Sequence, residues 1–121
     1  MRNKKYVLLI ASILLALITG AGGVMKLMGV PAAHASFGVL GLPAWFGYFI
    51  GLCETLGAIA LFIPALSALA AGGLSVIMCG ALYFHIVHTP LAQGVPALIA
   101  LLLAGYIALS TRGRILQFKQ A

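Results

Sequence analysis

Long apolar stretches alternate along this chain with short connections that are rich in glycine and proline. Four stretches are long enough to cross a membrane as helices, and they cover about residues 6–25, 43–63, 65–86 and 94–110. A helix needs about 20 mainly apolar residues to cross the hydrocarbon layer of a bilayer. The stretches show no period-two alternation of the kind that marks the strands of a membrane β-barrel. The pattern therefore predicts an all-α integral membrane protein.

The connections predict how these four helices are arranged. Pro64 leaves almost no chain between the second and third helices, which favours a tight antiparallel hairpin, and Pro90 separates the third helix from the fourth. The connection of residues 27–42 is the longest, and we expect it to be an apolar loop that lies over the mouth of the bundle or against the outer membrane surface. The chain is thus predicted to form one domain over residues 1–121, an up-down four-helix bundle.

Most of the charged residues lie at the two ends of the chain, and they predict how the protein is oriented in the membrane. The formal net charge is +6, and six of the seven basic residues flank the apolar stretches: Arg2, Lys4, Lys5, Arg112, Arg114 and Lys119. Basic residues collect on the cytoplasmic side of membrane proteins, so we expect an N-in and C-in multi-pass protein of the cell inner membrane. Without a separate basic domain the chain is not expected to bind nucleic acid. The expected partners are the lipid bilayer and either a homo-oligomer or another membrane protein.

Glu54 is the only acidic residue, and it lies near the middle of the second predicted span. A charged carboxylate that faces lipid at this depth costs about 2.5–3.5 kcal/mol or more. Glu54 is therefore expected to face the protein interior, where it is either protonated and hydrogen-bonded or paired with Lys26. Counting along the helices places Lys26 about 15 Å above Glu54, so a direct pair requires a kink or a later start of the first helix. Otherwise Lys26 is an anchor at the outer membrane boundary.

His85 stands level with Lys26 by the same count, so Lys26, Glu54 and His85 are candidates for one polar pocket that opens outward. Such a pocket suits a small apolar ligand with a polar head, for which a quinone is the candidate cofactor. His85 and His88 have a spacing that suits a metal, but Glu54 is too deep to join them, and no metal site is expected. We identify no set of catalytic residues, and Cys53 and Cys79 form no redox motif.

Small residues repeat at helical spacing within the spans, and they predict where helices approach one another closely. The glycines expected at helix contacts are Gly20, Gly23, Gly47, Gly51 and Gly72.

Several motifs of the chain occur together in one known family. They are Lys26 with its apolar connection ending Gly41-Leu-Pro43, the stretch Gly51-Leu-Cys-Glu54-Thr-Leu-Gly57 through Pro64, Ala71-Gly-Gly-Leu74, Met78-Cys-Gly-Ala81 with His85, and Pro96. Through them, about residues 15 to 110 resemble the DoxX-like family. The resemblance implies a bacterial four-helix membrane bundle and, for some relatives, a link to quinone-dependent oxidation of thiols or thiosulfate. It assigns no catalytic residue, although Lys26, Glu54 and His85 match its recurrent polar positions.

These observations favour an accessory or ligand-binding subunit in membrane redox metabolism, quinone-binding and not catalytic on its own. A structural or assembly bundle that packs against partner proteins is the alternative, and a small proton-coupled transporter is a third. A ligand-binding protein is expected to contain a cavity that reaches Glu54, whereas an assembly protein is expected to have a filled core and an exposed groove of small residues.

Overall fold

The computed structural model describes residues 2–113, and within this range every regular element is helical. The α-helices are α1 (Arg2–Leu27), α2 (Pro31–Val39), α3 (Ala44–Ala60), α4 (Ser67–His88) and α5 (Val95–Thr111), and a 3-10 helix (Leu91–Gly94) precedes α5. Arg114 and Lys119, two of the basic residues used to predict orientation, lie outside the described residues.

Three parts of the described chain are long and apolar enough to cross a membrane. They are Asn3–Leu27, Ser67–His88 and Leu91–Thr111. The helices α2 and α3 pass the same test only as a pair that is bent by 120° between them, so the number of spans is three, or four if this pair makes one crossing. The fold is thus that of a multi-pass membrane protein.

The predicted loop of residues 27–42 is wrong for Pro31–Val39, which form the helix α2. Proline at the first turn favours helix initiation because its missing N–H is not needed there. Gly29 and Gly41, with φ of 75° and 76°, end α1 and α2 in the left-handed conformation that glycine adopts without strain. At both ends the following amide donates back along the helix, from Val30 to Met25 O at 3.1 Å and from Leu42 to Phe37 O at 2.9 Å.

The four long helices α1, α3, α4 and α5 alternate in direction, and the space between them divides into two different halves. In the half that holds the first part of α1, the last part of α5 and the α3–α4 turn, side chains from α1, α4 and α5, together with Leu61 just after α3, fill a continuous apolar core: Ala11, Leu15, Leu61, Ala71, Leu74, Met78, Ala100, Ala104 and Ile107. In the other half, α2 lies against the end of α1 and the start of α3.

Glycines bring α1 and α3 into close contact. A Cβ atom on Gly51 would lie 2.7 Å from Lys26 Cβ and 2.9 Å from Gly23 O, and one on Gly23 would lie 2.8 Å from Gly51 O. Gly20 faces Ala58 more loosely, at 3.7 Å between the Cβ positions. Gly47 lies against the His34 ring of α2, where a Cβ would overlap Nδ1. Four of the five predicted glycines therefore lie beside another helix.

Gly72 differs from these four, since no other helix of the described chain lies beside it. A Cβ on Gly72 would meet no atom within 4 Å. The buried face of α4 instead carries Ser67, Ala68, Ala71, Leu74 and Met78. The side of α4 that faces the other helices is thus rotated around the helix axis from the side on which Gly72 lies.

Candidate functional site

A cavity of about 800 Å³ occupies the half of the protein that the apolar core leaves open. Its walls come from α2, the first half of α3 and the second half of α4, and Lys26 at the end of α1 also borders it. The aromatic side chains on these walls are Phe37, Phe46, Tyr83 and Phe84, and the polar ones are Lys26, Ser36, Glu54, His85, Thr89 and Gln93.

The Lys26 ammonium and the Glu54 carboxylate form an ion pair at this cavity. Nζ lies 2.7 Å from Oε1, and Glu54 as a residue is only 3% exposed. Oε1 is fully buried, so the close ammonium is what compensates its charge. The pairing compensates a charge that is otherwise costly to bury.

The register between α1 and α3 explains how two residues that seem far apart along the membrane normal can meet. Lys26 packs against Gly51, which lies less than one turn before Glu54 on α3. The start of α3 therefore extends beyond the end of α1, and α2 covers that extension through the contact of His34 with Gly47. The expected separation assumed that the end of α1 lies level with the start of α3, and the contact of Lys26 with Gly51 shows that it does not.

His34 ties α2 to the end of α1. Its Nε2 lies 2.8 Å from the Lys26 carbonyl oxygen, and because a carbonyl can only accept, Nε2 carries the hydrogen and donates. The His34 ring also lies against Tyr48 of α3, with 4.6 Å between the ring centroids. His34 thereby links the backbone at Lys26 to α3, close to the point where the Lys26 side chain meets Glu54.

The hydrogen bonds around His85 determine which of its two ring nitrogens can accept a hydrogen bond from a ligand. Thr89 Oγ1 donates to the His85 carbonyl at 2.9 Å, with Pro90 O as a further acceptor at 3.2 Å, so its single hydrogen is used on carbonyls. We therefore assign Nδ1–H as the donor to Thr89 Oγ1, at 3.0 Å. Nε2 of His85 is then the lone-pair acceptor of the ring.

This arrangement can bind a neutral polar head by hydrogen bonds. The charges of Lys26 and Glu54 cancel, while the ammonium has three N–H groups and His85 supplies an acceptor. Among residues 2–113, no three His, Cys, Asp or Glu side chains lie close enough to hold a metal ion. The walls around the polar groups are mainly alkyl and aromatic, which suits a ligand with an apolar body.

The structure thus places Lys26, Glu54 and His85, the three residues selected from the sequence, on the walls of one cavity. Sequence reasoning missed the contribution of α2, which supplies Ser36 and Phe37. The available signal was the proline at position 31 followed by the glycine at position 41, since this spacing is typical of a short helix with a proline start and a glycine end.

The comparisons with known proteins return one family and nothing more specific. Neither the curated proteins nor the solved structures include a significant match. The family model that does match is that of the DoxX-like family, over residues 10–108. This range contains α2, α3, α4 and every residue of the cavity wall. Because the match covers most of the sequence and the whole site, the chain belongs to the DoxX-like family.

Proposed function

We propose that this protein binds a small amphipathic molecule, such as a quinone, in the cavity beside the Lys26–Glu54 pair. In this role it is an accessory subunit of membrane redox metabolism and is not catalytic on its own. The observation that carries the proposal is the cavity itself, since it joins an apolar chamber to a buried ion pair. A bundle that served only for assembly has no need of such a chamber.

The size and chemistry of the cavity support a ligand with a ring-shaped, uncharged head. A volume of about 800 Å³ is within the range of pockets that enclose drug-sized molecules. Phe37 and Phe46 lie with their ring centroids 5.5 Å apart at the wall, and they offer faces against which a planar head can stack. The Lys26 ammonium can donate to a carbonyl oxygen of such a head.

Assembly with a partner is the second candidate function. The observation that favours it is the bare outer surface of α4, where Cβ atoms on Gly72 and Gly73 would meet no atom within 4 Å. A helix of a second copy or of another membrane protein can approach closely at such residues. Loss of oligomers or of a co-purifying protein in a Gly72→Leu variant, with ligand binding unchanged, would support this role.

We further propose that the chain crosses the bacterial inner membrane four times, with α2 and α3 together making the second crossing. Basic residues near both chain ends support a cytoplasmic location for both termini. Single cysteines introduced for Asn3 and for His88 in a Cys53→Ser, Cys79→Ser background should then be labelled from opposite sides by a membrane-impermeant maleimide. Labelling of the Asn3→Cys variant from the outside of intact cells would contradict this orientation.

Binding of decylubiquinone to the protein in nanodiscs tests the proposed ligand class. We expect saturable binding that an Ala81→Phe variant weakens by about tenfold or more, because a ring is added to the cavity wall. Ala92→Phe is the matched control, since Ala92 is exposed and lies outside the cavity. Equal affinity of both variants and the parent protein, or no saturable binding at all, would contradict a quinone-like ligand at this site.

A further inference from the structure

One wall of the cavity lies on the outer surface of the protein. Val76, Gly80 and Tyr83 all border the cavity, and their spacing of four and three residues places them on one face of α4. Val76 is 73% exposed and Tyr83 is 59% exposed. Between them, a Cβ on Gly80 would meet no atom within 4 Å. The same residues therefore face both the cavity and the surroundings of the helix.

The surroundings of this face are apolar if α4 spans the membrane, as its length and composition indicate. The outer face of α4 carries Leu69, Val76 and Ile86 among its exposed side chains, and such a surface is stable against lipid rather than water. An opening at Gly80 then connects the cavity with the hydrocarbon layer.

The approach from the end of the bundle is different, because a helix lies across it. The helix α2 lies there as a cap and contributes Ala32, Ala33 and Ser36 to the cavity wall. It is attached at His34 by the hydrogen bond to the Lys26 carbonyl and by the ring contact with Tyr48. A molecule that displaces α2 has to break these contacts, whereas one that enters beside Gly80 does not.

We propose that Gly80 marks a lateral portal through which the ligand enters the cavity directly from the bilayer. This inference rests on the proposed ligand-binding function and narrows it to lipid-dissolved, uncharged amphiphiles with a flexible apolar tail. The head moves inward to the Lys26–Glu54 pair, while the tail remains between α3 and α4 or in the lipid. Glycine at position 80 leaves room for such a tail, because it has no side chain to fill the opening.

Brominated lipids test the portal without any ligand. Bromine atoms on acyl chains quench tryptophan fluorescence only at short range, so they report whether lipid chains reach a reporter in the cavity. The reporter is Ile50→Trp on the α3 wall, in a Trp45→Phe background that removes the single native tryptophan. The protein is reconstituted in vesicles of phosphatidylcholine with and without bromine on the acyl chains.

We expect the brominated vesicles to quench the reporter, and Gly80→Leu to lower that quenching by about half or more, because four added carbon atoms fill the opening. Gly73→Leu is the matched control: it changes an exposed glycine of the same helix that does not border the cavity. It should leave the quenching unchanged. Both substitutions add side chains where no protein atom lies within 4 Å, so neither should disturb folding.

Equal quenching in the Gly80→Leu and Gly73→Leu variants would overturn the portal. Quenching by acrylamide in water without quenching by brominated lipid would also overturn it, because the cavity would then open to the aqueous phase. The proposed ligand is tested separately by decylubiquinone binding. Portal-dependent quenching in a protein that binds no decylubiquinone would refute the quinone-like ligand while leaving the lateral opening in place.

Discussion

Replacing Lys26 by methionine is expected to destabilise the protein by about 3 kcal/mol, because the change leaves the Glu54 carboxylate buried without its partner. Glu54 is almost completely buried, and among residues 2–113 no other lysine or arginine borders the cavity. Lys26→Met keeps most of the length of the side chain and its packing on Gly51, so the loss reports the charge rather than a void.

Glu54→Gln should cost less than Lys26→Met. The side chain of Lys26 is 17% exposed, so its ammonium keeps some access to solvent or to head groups when the carboxylate is removed. It also lies in the last turn of α1, where the negative end of the helix dipole favours a cation. The amide oxygen of glutamine can accept a hydrogen bond from it.

The double variant Lys26→Met, Glu54→Gln decides between an ion pair and an isolated acid. With both charges gone, we expect it to be more stable than Lys26→Met alone, with a coupling free energy above about 1 kcal/mol. The measurement is the free energy of unfolding of the three variants in detergent micelles. Additive effects, with coupling near zero, would mean that Glu54 is held as a lone neutral acid. Combining Glu54→Gln with Ile59→Leu, on the exposed side of α3, gives the additive reference.

The affinity for decylubiquinone shows whether the Lys26–Glu54 ion pair only stabilises the fold or also binds the ligand. If the pair only stabilises the fold, the double variant should fold and still bind the quinone. If the Lys26 ammonium donates to the head group, the double variant should fold and lose affinity by about tenfold, the equivalent of one hydrogen bond to a charged group. Ala92→Phe again serves as the reference for unchanged binding, since it lies outside the cavity.

The helices were predictable from the sequence because their apolar stretches are long and their ends carry clear signals. Pro64 shows that a proline predicts the end of a helix only to within a few residues. Proline cannot donate the N–H that a continuing helix needs, so α3 was expected to end at it. The helix ends at Ala60 instead, and turn hydrogen bonds, such as that from the Ile63 amide to Ala60 O at 3.1 Å, bridge the remaining residues before the proline.

Relative positions of helices were harder to predict because a transmembrane helix carries little information about its rotation. In α4, apolar and small residues occur on all sides, so no polar face indicates which side is turned outward. The sequence therefore does not distinguish the face of Gly72 from that of Ala71 and Leu74, which is the face buried within this chain. On α3 the rotation was easier to predict, since a single charged residue, Glu54, has to point inward.

The site depends on a feature that counting residues does not supply, namely the offset between α1 and α3. That offset follows from the contact of Gly23 with Gly51 and from α2, which fills the space beyond the end of α1. Sequence reasoning selected Lys26, Glu54 and His85 as polar residues within apolar surroundings. It was not able to show that Lys26 lies close enough for a pair, because the prediction contained no helix at the position of α2.

Introducing a side chain at Gly51 is the second change with a large expected effect. A Cβ there would lie 2.7 Å from Lys26 Cβ and 3.3 Å from the Leu27 amide nitrogen, so even alanine forces α1 and α3 apart. Overpacking of this kind costs about 1–3 kcal/mol, and leucine is expected to exceed alanine. The separation also lengthens the Lys26–Glu54 contact, which adds to the loss.

Thermal unfolding of purified variants in detergent measures this effect, with two controls on exposed surfaces. Ile59→Leu changes the exposed side of the same helix and should leave the midpoint nearly unchanged. Gly73→Ala adds a methyl group where no atom lies within 4 Å, and it should raise stability by up to about 1 kcal/mol because alanine favours helix more than glycine does. The expected order of midpoints is Gly73→Ala, then the parent protein and Ile59→Leu, then Gly51→Ala and finally Gly51→Leu. A Gly51→Leu protein that unfolds at the same temperature as Ile59→Leu would show that α1 and α3 do not approach as closely as the Gly23–Gly51 contact requires.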